Sequence, residues 1–511
     1  MTSSSVQHRA PLFLYPALPK WEMRLYWVVL ITVLSYAYFC VYDASNHFQW
    51  GYGFSFKVHD LPFFGTRIKD TTNWEWGRWV PFALQYIPAL LGHIVVFNVG
   101  EKFLPKTAWE VLTLAYSIAA CSYLFTPWLV TLSIIQATFV FGMRVLTGKT
   151  MGVWIGVLPI LWYTLHRTSA IHDDPFVVLL FMSYTLLSYI SYNLDYLRGK
   201  HRPEENTHLK SFFRMMYYAF YLPYLVSLIV LYSDFERQLQ ERPKKERNWK
   251  DIIKFAARIT FWWLFIEFML HFMYFEAIFK DVRFAYKLTE DRFVSLGMAV
   301  GAFFHMKYVV IFGLPAMFAR IDNMQPQEGP MCLIRVALYS KIWRNFDRGL
   351  YAFFKQYIFV PICQPTFSLP RKLFGVIISY MFVLLWHGFH HNNVVWIVLN
   401  VLELFIEIGA KSVYAIPAVK NTRERYISDR AFRRILAWLQ IVPFVFGLYS
   451  NFYFLCGSKI GYAFVDRIFW GETVTLQWPF FMLITTGYFY CHVAMEVERL
   501  KQIKQEKQKE T

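Results

Sequence analysis

The stretch FGVIISYMFVLLWHG, from Phe374 to Gly388, is an apolar run that ends in the ionisable side chain of His387. Similar stretches recur along the 511 residues, among them Leu25–Tyr42, Phe212–Tyr232 and Phe261–Phe279. With 56% hydrophobic and 20% aromatic residues, the composition excludes a soluble globular domain. A perpendicular transmembrane helix needs roughly 20 apolar residues, and several of the stretches are shorter. We therefore predict an all-α polytopic membrane protein with about ten transmembrane helices plus re-entrant or interfacial helices.

Positive charge is unevenly distributed along the chain. The formal net charge is +17, and lysine and arginine concentrate in Arg198–Lys210, Arg237–Arg258, Lys420–Arg434 and the tail 499–511. By the positive-inside tendency, we expect these segments to face the cytosol. We interpret their charges as solvated faces beside anionic headgroups, and no feature supports nucleic-acid binding. The six cysteines are far apart and form no CxxC or CxxH pair, so we predict neither a disulfide framework nor a zinc site.

The organisation of the chain is simple, because no repeat or soluble domain interrupts it. We predict a single membrane domain over 1–511. The polar interruption Asp43–Arg78 is expected to be a packed interfacial loop. Basic and apolar residues alternate at roughly helical spacing over Lys244–Arg258, which predicts an amphipathic interfacial helix on the cytosolic side. Met1–Lys20 lacks the pattern of a cleaved signal peptide, so Leu25–Tyr42 is predicted to be the first span.

Ionisable side chains at membrane depth are costly, so an intramembrane histidine is a functional hypothesis. His387 by itself is equally compatible with an interfacial anchor. Asp347 lies upstream, close to Arg344 and Arg348, and two flanking arginines should favour its charged form. A histidine and an aspartate on separate membrane segments supply what a general-base site needs. Asn451, on another apolar segment, can donate a hydrogen bond to a developing oxyanion.

Each of these polar residues also has a structural interpretation. Asp347 with its arginines can be an ion-pair cluster that only anchors a helix. Asn451 can simply join two helices. Three further carboxylates in apolar stretches, Asp195, Glu403 and Glu407, are interpreted as packing pairs or interhelical hydrogen bonds rather than as catalysts.

Five segments of the chain together resemble a known family. The run WRNFDRGLYAFFKQYIFVPI (Trp343–Ile362), followed by Trp386–Gly388, resembles the signature half of the membrane-bound O-acyltransferase superfamily. Within it, the chain most resembles the hedgehog acyltransferase group. The narrower resemblance rests on FFGTRIKDTTNWEWGRW (Phe63–Trp79), GPMCLIR (Gly329–Arg335) and SNFYFLCGSKIG (Ser450–Gly461). The expected fold is therefore that of the superfamily, with the densest resemblance over 330–461.

The resemblance implies a role for each residue at a matching position. His387 would be the catalytic base, and Asp347 would be its acidic partner. Trp343 and Arg344 would line the acyl-CoA thioester region, and Asn451 would lie near the scissile carbonyl. A related non-catalytic subgroup lacks the histidine, so its presence here argues for an active enzyme.

One cofactor is implied by the resemblance alone. Cys332 matches an axial thiolate for a haem b, although the sequence offers no second ligand. On physical grounds, a buried unreactive thiol is an equal alternative. The first-loop segment departs from the group's pattern at Asn73 and Trp74, where the group has Asp and Phe.

The function implied is transfer of a palmitoyl group from palmitoyl-CoA to the α-amine of an N-terminal cysteine on a secreted, hedgehog-like protein. The expected partners are acyl-CoA, membrane lipids and that protein. One alternative is O-acylation of a lipid, sterol, glycerol or serine hydroxyl, and another is a non-catalytic lipid-binding scaffold or transporter. Lys507 and Lys509 resemble a dilysine retrieval signal, which favours the membrane of the endoplasmic reticulum or the Golgi.

Overall fold

The computed structural model describes five parts of the chain: 15–51, 53–199, 207–332, 338–470 and 478–510. Four segments discussed above extend beyond these parts. Most of Met1–Lys20, the centre of Arg198–Lys210, the end of Gly329–Arg335 and the last residue of the tail 499–511 lie outside the described residues.

Long apolar helices joined by short connections form the first part of the chain. Gly148 ends one of them at a φ of 62°, a left-handed conformation that glycine adopts without a Cβ clash. One π-helical turn, Leu179–Ser183, continues directly into the last. The helices are α1 (Lys20–His47), α2 (Trp74–Phe103), α3 (Lys106–Phe125), α4 (Pro127–Thr147), α5 (Thr150–His166), α6 (Thr168–Ile171), α7 (Pro175–Val178) and α8 (Tyr184–Leu197).

The middle of the chain is more broken than its composition suggests. The apolar stretch Phe212–Tyr232 is not one helix, because Pro223 lies in the first turn of a separate short helix, a position that tolerates proline. The apolar stretch Phe261–Phe279 is also interrupted, after Met269. The helices here are α9 (His208–Ala219), α10 (Leu222–Leu225), α11 (Tyr232–Glu241), α12 (Trp249–Met269), α13 (Phe275–Lys280), α14 (Val282–Lys287) and α15 (Glu290–Ile321).

The C-terminal part begins with short helices and ends with long ones. A π-helical turn, Lys355–Phe359, separates two of the short helices, and Asp466–Trp470 extends a long one. Gly457, at a φ of 80°, marks a kink in that long helix. The helices are α16 (Tyr339–Phe346), α17 (Arg348–Phe354), α18 (Val360–Cys363), α19 (Leu369–His387), α20 (His391–Tyr414), α21 (Pro417–Tyr426), α22 (Asp429–Val465) and α23 (Trp478–Glu510).

The segment predicted to be a loop over Asp43–Arg78 contains an antiparallel hairpin. Strands β1 (Phe56–Leu61) and β2 (Gly65–Asp70) pair with Val58 opposite Ile68. The hairpin docks on the end of α12, where the N–H of Asp70 donates to the carbonyl of Leu270 over 2.9 Å. This contact comes from a distant part of the chain and coincides with the break after Met269.

Helix α12 corrects the amphipathic segment predicted over Lys244–Arg258. The helix begins at Trp249, where Asn248 accepts a hydrogen bond from the N–H of Asp251 over 3.2 Å. It then continues beyond Arg258 to Met269. The basic and apolar segment is therefore the first half of a longer helix.

Ten helices among the described residues are long and apolar enough to cross a membrane, which confirms the predicted number of spans. Helix α1 packs against α15 and α23, and α20 packs against α19 and α22. Arg434 makes two hydrogen bonds with Glu22, of 2.9 and 2.7 Å, so the beginnings of α1 and α22 lie side by side. The all-α membrane fold expected from the sequence is the one observed, with the β1–β2 hairpin as an addition.

Candidate active site

His387 is the last residue of α19 and is held there by its neighbours. Gly388 adopts a φ of 88° and donates its N–H to the carbonyl of Leu384 over 2.9 Å. The amide of Asn393 donates to the carbonyls of His387 and Gly388, over 2.7 and 3.0 Å. Because a side chain at residue 388 would strain this backbone conformation, glycine is the residue that lets the helix end directly after the histidine.

The His387 imidazole lies between two aromatic rings. Its centroid is 5.2 Å from that of Trp396 and 5.1 Å from that of Phe454, and both pairs are nearly perpendicular. The two rings stack on each other at 4.2 Å. The histidine is nevertheless exposed, and no side chain in the described parts hydrogen-bonds its ring. This arrangement leaves an accessible nitrogen base surrounded by apolar walls.

Asp347 stands at the junction of α16 and α17, outside the ten candidate spans. Its Oδ1 accepts the N–H of Leu350 over 2.8 Å, so the carboxylate caps α17. It lies deep in the protein but borders a small cavity with Phe346 and Ser227, which leaves part of the carboxyl accessible. Burial raises the pKa of Asp347 to about 6.

The flanking arginines do not neutralise Asp347, so the expectation that they favour its charged form is wrong. The guanidinium of Arg348 pairs with Glu328 over 2.9 Å. Arg344 is exposed, and its guanidinium lies 5.5 Å from the ring centroid of Tyr351. Side chains that are close in sequence point in different directions around a helix. The two arginines therefore lie near Asp347 in the chain without contacting its carboxylate.

Aromatic rings connect the segment of Asp347 with that of His387. The ring of Phe346 stacks on Phe304, with centroids 5.2 Å apart. Phe304 in turn lies 6.1 Å from Phe454, which contacts the histidine. No direct hydrogen bond joins Asp347 to His387 in the structure, although both side chains are described.

A third carboxylate, which the sequence analysis did not single out, faces the same region. Glu75, in the first turn of α2, accepts the hydroxyl of Tyr308 over 2.7 Å and pairs with the Nζ of Lys307 over 2.5 Å. The Tyr308 ring lies 5.3 Å from that of Phe346 and 4.9 Å from that of Phe304, which connects Glu75 to the aromatic rings between Asp347 and His387. The signal was present in the first-loop resemblance, which includes Glu75, but no local spacing links it to residues so distant in the chain.

Trp343 is packed beside the histidine's aromatic wall. Its centroid lies 5.6 Å from that of Trp396, and its Nε1 donates to Oδ1 of Asn400 over 2.9 Å.

Asn451 donates one hydrogen bond to the carbonyl of Gly447 over 2.8 Å, within α22. An amide group has two N–H donors, so one remains for another partner.

The other intramembrane carboxylates differ from one another. Asp195 accepts hydrogen bonds from Gln356 over 2.9 Å and from the N–H of Ser233 over 3.1 Å, which are interhelical bonds of the predicted kind. Glu407 accepts from the N–H of Ser340 over 2.9 Å. Glu403 is fully buried, and neither carboxylate oxygen has a hydrogen-bond partner among the described residues.

Cys332 does not stand in a built metal site. Its thiol is exposed, and residues 333–337, which follow it, lie outside the described residues. Within the described parts, no group of three His, Cys, Asp or Glu side chains could hold a metal ion.

Comparison with known proteins adds an independent observation. The profile of the family described as "MBOAT, membrane-bound O-acyltransferase family" matches residues 160–451, more than half of the chain. The chain belongs to the membrane-bound O-acyltransferase family. His387, Asp347 and Asn451 all lie inside the matched region, whereas Glu75 lies before it.

Individual relatives of this membrane-bound O-acyltransferase extend the similarity to nearly the whole chain. "Protein-cysteine N-palmitoyltransferase HHAT" of Mus musculus is 25% identical over 497 residues, covering 94% of this chain and 98% of the relative. "Protein-cysteine N-palmitoyltransferase Rasp" of Drosophila melanogaster is 26% identical over 457 residues, covering 87% and 89%. "Membrane-bound O-acyltransferase GUP1" of Millerozyma farinosa is 21% identical over 323 residues, covering 58% and 61%.

Proposed function

We propose that this acyltransferase moves a palmitoyl group from palmitoyl-CoA to the α-amine of an N-terminal cysteine on a secreted, hedgehog-like protein. The observation that carries the proposal is the His387 imidazole, which is accessible, free of hydrogen-bond partners among the described residues and fixed at the end of α19. The similarity to two relatives named protein-cysteine N-palmitoyltransferases supports the choice of acceptor.

The reaction requires a base because the acceptor arrives mainly as an ammonium ion. The reference pKa of an α-amine is roughly 7.7–8.0, so one proton must leave to solvent before attack. The nitrogen then bonds to the thioester carbonyl carbon, and His387 takes a second proton from it. As the carbon–sulfur bond breaks, the imidazolium passes that proton to the departing CoA thiolate. The products are an amide and a thiol, with one proton released overall.

The neighbouring residues act on charges that appear during this step. The carboxylate of Asp347 favours the imidazolium that forms on His387. The remaining N–H of Asn451 is directed to the oxyanion of the tetrahedral intermediate. Trp343, Trp396 and Phe454 provide an apolar wall for the acyl chain and exclude water that would otherwise hydrolyse the thioester.

The acceptor is tested with purified protein, labelled palmitoyl-CoA and three peptides of the same sequence. They begin with free cysteine, with free serine or with Nα-acetylated cysteine. Acylation of the first peptide alone is expected, because the acetylated peptide lacks the nucleophilic amine. Acylation of the serine peptide or of an added lipid alcohol, with no reaction at cysteine, would instead establish the O-acyltransferase alternative.

Two accessory expectations have their own tests. A haem b on Cys332 predicts a visible absorption band in purified protein that disappears in Cys332→Ala, and no step above depends on it.

Residence in the endoplasmic reticulum or the Golgi predicts that replacing Lys507 and Lys509 by alanine moves the full-length protein to a later compartment in fluorescence microscopy. An unchanged distribution would contradict the retrieval role of these lysines.

A further inference from the structure

Glu75 is joined through Tyr308 to Phe346, the residue before Asp347, but takes no part in the transfer described above. Its side chain is 30% exposed, although Lys307, its ion-pair partner, is 6% exposed. One carboxylate oxygen accepts the Tyr308 hydroxyl, and the other pairs with the Lys307 ammonium. A carboxylate has about four lone-pair sites, so these two partners leave acceptor capacity on its open side.

We propose that Glu75 binds the α-ammonium group of the acceptor and places its nitrogen beside His387. The inference rests on the proposed function, since it requires an acceptor with a free α-amine. An ammonium ion that leaves water needs a charged partner, and a charge-assisted hydrogen bond to a carboxylate provides one. Glu75 is suited to this because Tyr308, which donates to it, packs on Phe304, and Phe304 contacts the Phe454 ring beside the imidazole.

The neighbouring carboxylates are less available for this role. Asp347 already uses one oxygen to cap α17, and burial raises its pKa to about 6. Glu276 accepts the side-chain amide of Asn73 over 2.7 Å. Glu267 accepts the indole N–H of Trp76 over 2.8 Å and pairs with Lys69. Glu75 combines an open face with a link through Tyr308 and Phe304 to the aromatic wall of His387.

The position of Glu75 along the membrane normal also fits an acceptor from the secretory pathway. The basic segment Lys420–Arg434 is assigned to the cytosol by the positive-inside tendency. Arg434 bonds to Glu22, so the beginning of α1 lies on that same side. Helix α1 is a candidate span, and the β1–β2 hairpin and the first turn of α2 follow its far end. Glu75 therefore faces the luminal side, from which a secreted protein would enter.

Lys307 and Tyr308 hold this subsite in place without occupying it. They are successive residues of α15, and both donate to Glu75. The Tyr308 ring also lies 5.3 Å from that of Phe346, which precedes Asp347. Through these contacts, α2, α15 and the Asp347 segment are fixed relative to one another. The bound ammonium would lie where all three meet.

The test compares Glu75→Gln with the wild type in the full-length protein. Loss of the charged acceptor is expected to raise the KM for the N-terminal cysteine peptide by roughly tenfold or more, with the KM for palmitoyl-CoA unchanged. The pH profile of kcat should move to lower pH, because the bound ammonium then releases its proton more readily. Asp347, Lys307 and His387 are the same in both proteins. Glu75→Asp should restore part of the affinity.

A matched control lies at the other end of the same helix. Glu101 is 35% exposed and pairs over 2.8 Å with Arg242, which is 3% exposed, so its burial and pairing resemble those of Glu75. Glu101→Gln should leave the peptide KM unchanged. A peptide KM in folded Glu75→Gln within about twofold of the wild-type value, or an equal increase in Glu101→Gln, would overturn the proposal.

A second measurement uses the wild type alone and does not depend on how the variant folds. A peptide that begins with 3-mercaptopropionyl, which lacks the α-amine, is tested as an inhibitor against the same peptide S-methylated on a free N-terminal cysteine. The amine-bearing peptide should inhibit at least tenfold better. Equal inhibition would exclude the ammonium subsite. Failure of the wild type to acylate any cysteine peptide would refute the proposed function itself, which is a different result.

Discussion

Two pairs of histidine and aspartate in this protein use the same side chains in different ways. Asp322 accepts hydrogen bonds from His93 over 3.1 Å, from Tyr221 over 2.7 Å and from Asn98 over 2.6 Å. Both His93 and Asp322 are fully buried. Every oxygen of this carboxylate therefore has a partner within the protein, and there is no room for a substrate.

The residues around His387 show the opposite pattern. The imidazole is exposed without a hydrogen-bond partner in the described parts, and Asp347 borders a cavity. A buried carboxylate whose two oxygens are both hydrogen-bonded inside the protein stabilises a fold, whereas a group with free acceptors can bind a substrate. The burial of Asp322 with both oxygens bonded, rather than residue type, separates the structural cluster from the candidate active site.

The largest expected effects on activity and stability come from replacing the two histidines. His387→Ala should lower acyl transfer by about 10²–10⁴-fold and leave thermal stability unchanged, because no side chain in the described parts of the chain hydrogen-bonds the ring. His93→Ala should lower the free energy of unfolding by about 1–3 kcal/mol while the folded protein keeps its kcat. Size-exclusion profiles after heating, together with kcat at low temperature, measure both. The reverse pattern would invalidate the comparison.

Replacing Asn451 should mainly lower activity, whereas replacing Asn98 should mainly lower stability. Asn451→Ala removes the donor that we propose for the oxyanion and should reduce kcat by roughly 100-fold. Asn98→Ala removes a partner of Asp322 and should reduce stability by about 1–2 kcal/mol, with little change in kcat. If Asn451→Ala affects stability alone, its role is limited to helix packing.

The Asp347 and Asp322 variants should differ in how their activity depends on pH. Because the pKa of Asp347 is raised to about 6, wild-type kcat/KM should fall as the pH decreases through that value and the carboxylate is protonated. Asp347→Asn keeps an N-cap residue but should be roughly tenfold slower and lack this limb of the profile. The free energy of unfolding should change with pH in the opposite direction to kcat/KM. Because a raised pKa means that ionisation of Asp347 disfavours the folded state, the protonated Asp347 contributes stability at low pH, and this contribution is lost as the pH rises through about 6. Asp322→Asn should leave the pH profile of activity unchanged.

The smallest effect is expected from the backbone that positions His387. In Gly388→Ala, a residue with a side chain would have to adopt a φ of 88°, and the new Cβ would lie 3.3 Å from the ring of His390. The strain should amount to about 1–2 kcal/mol and lower kcat through displacement of His387. Gly409→Ala in α20, where a Cβ meets open space, is the control. Equal behaviour of the two variants would show that the helix end is not specially constrained.

The sequence predicted the parts of this protein that depend on local composition. Apolar runs gave the number of spans, and the WHG motif directed attention to His387. The break after Met269 was missed because Phe261–Phe279 is mostly apolar, and the hairpin that docks there comes from a distant segment. The expectation that Arg344 and Arg348 favour the charged form of Asp347 was wrong, because side chains that are close in sequence point in different directions. Glu75 was missed because its contacts are made by residues of another helix.

The most direct test of the central claim is to identify which atom becomes acylated and whether His387 is needed. Wild type, His387→Ala and His93→Ala, each shown to be folded, are incubated with palmitoyl-CoA and a peptide with an N-terminal cysteine, and the product is sequenced by tandem mass spectrometry. We predict an amide on the α-nitrogen with wild type and His93→Ala, and no such product with His387→Ala. Equal amounts of amide from His387→Ala would contradict the account.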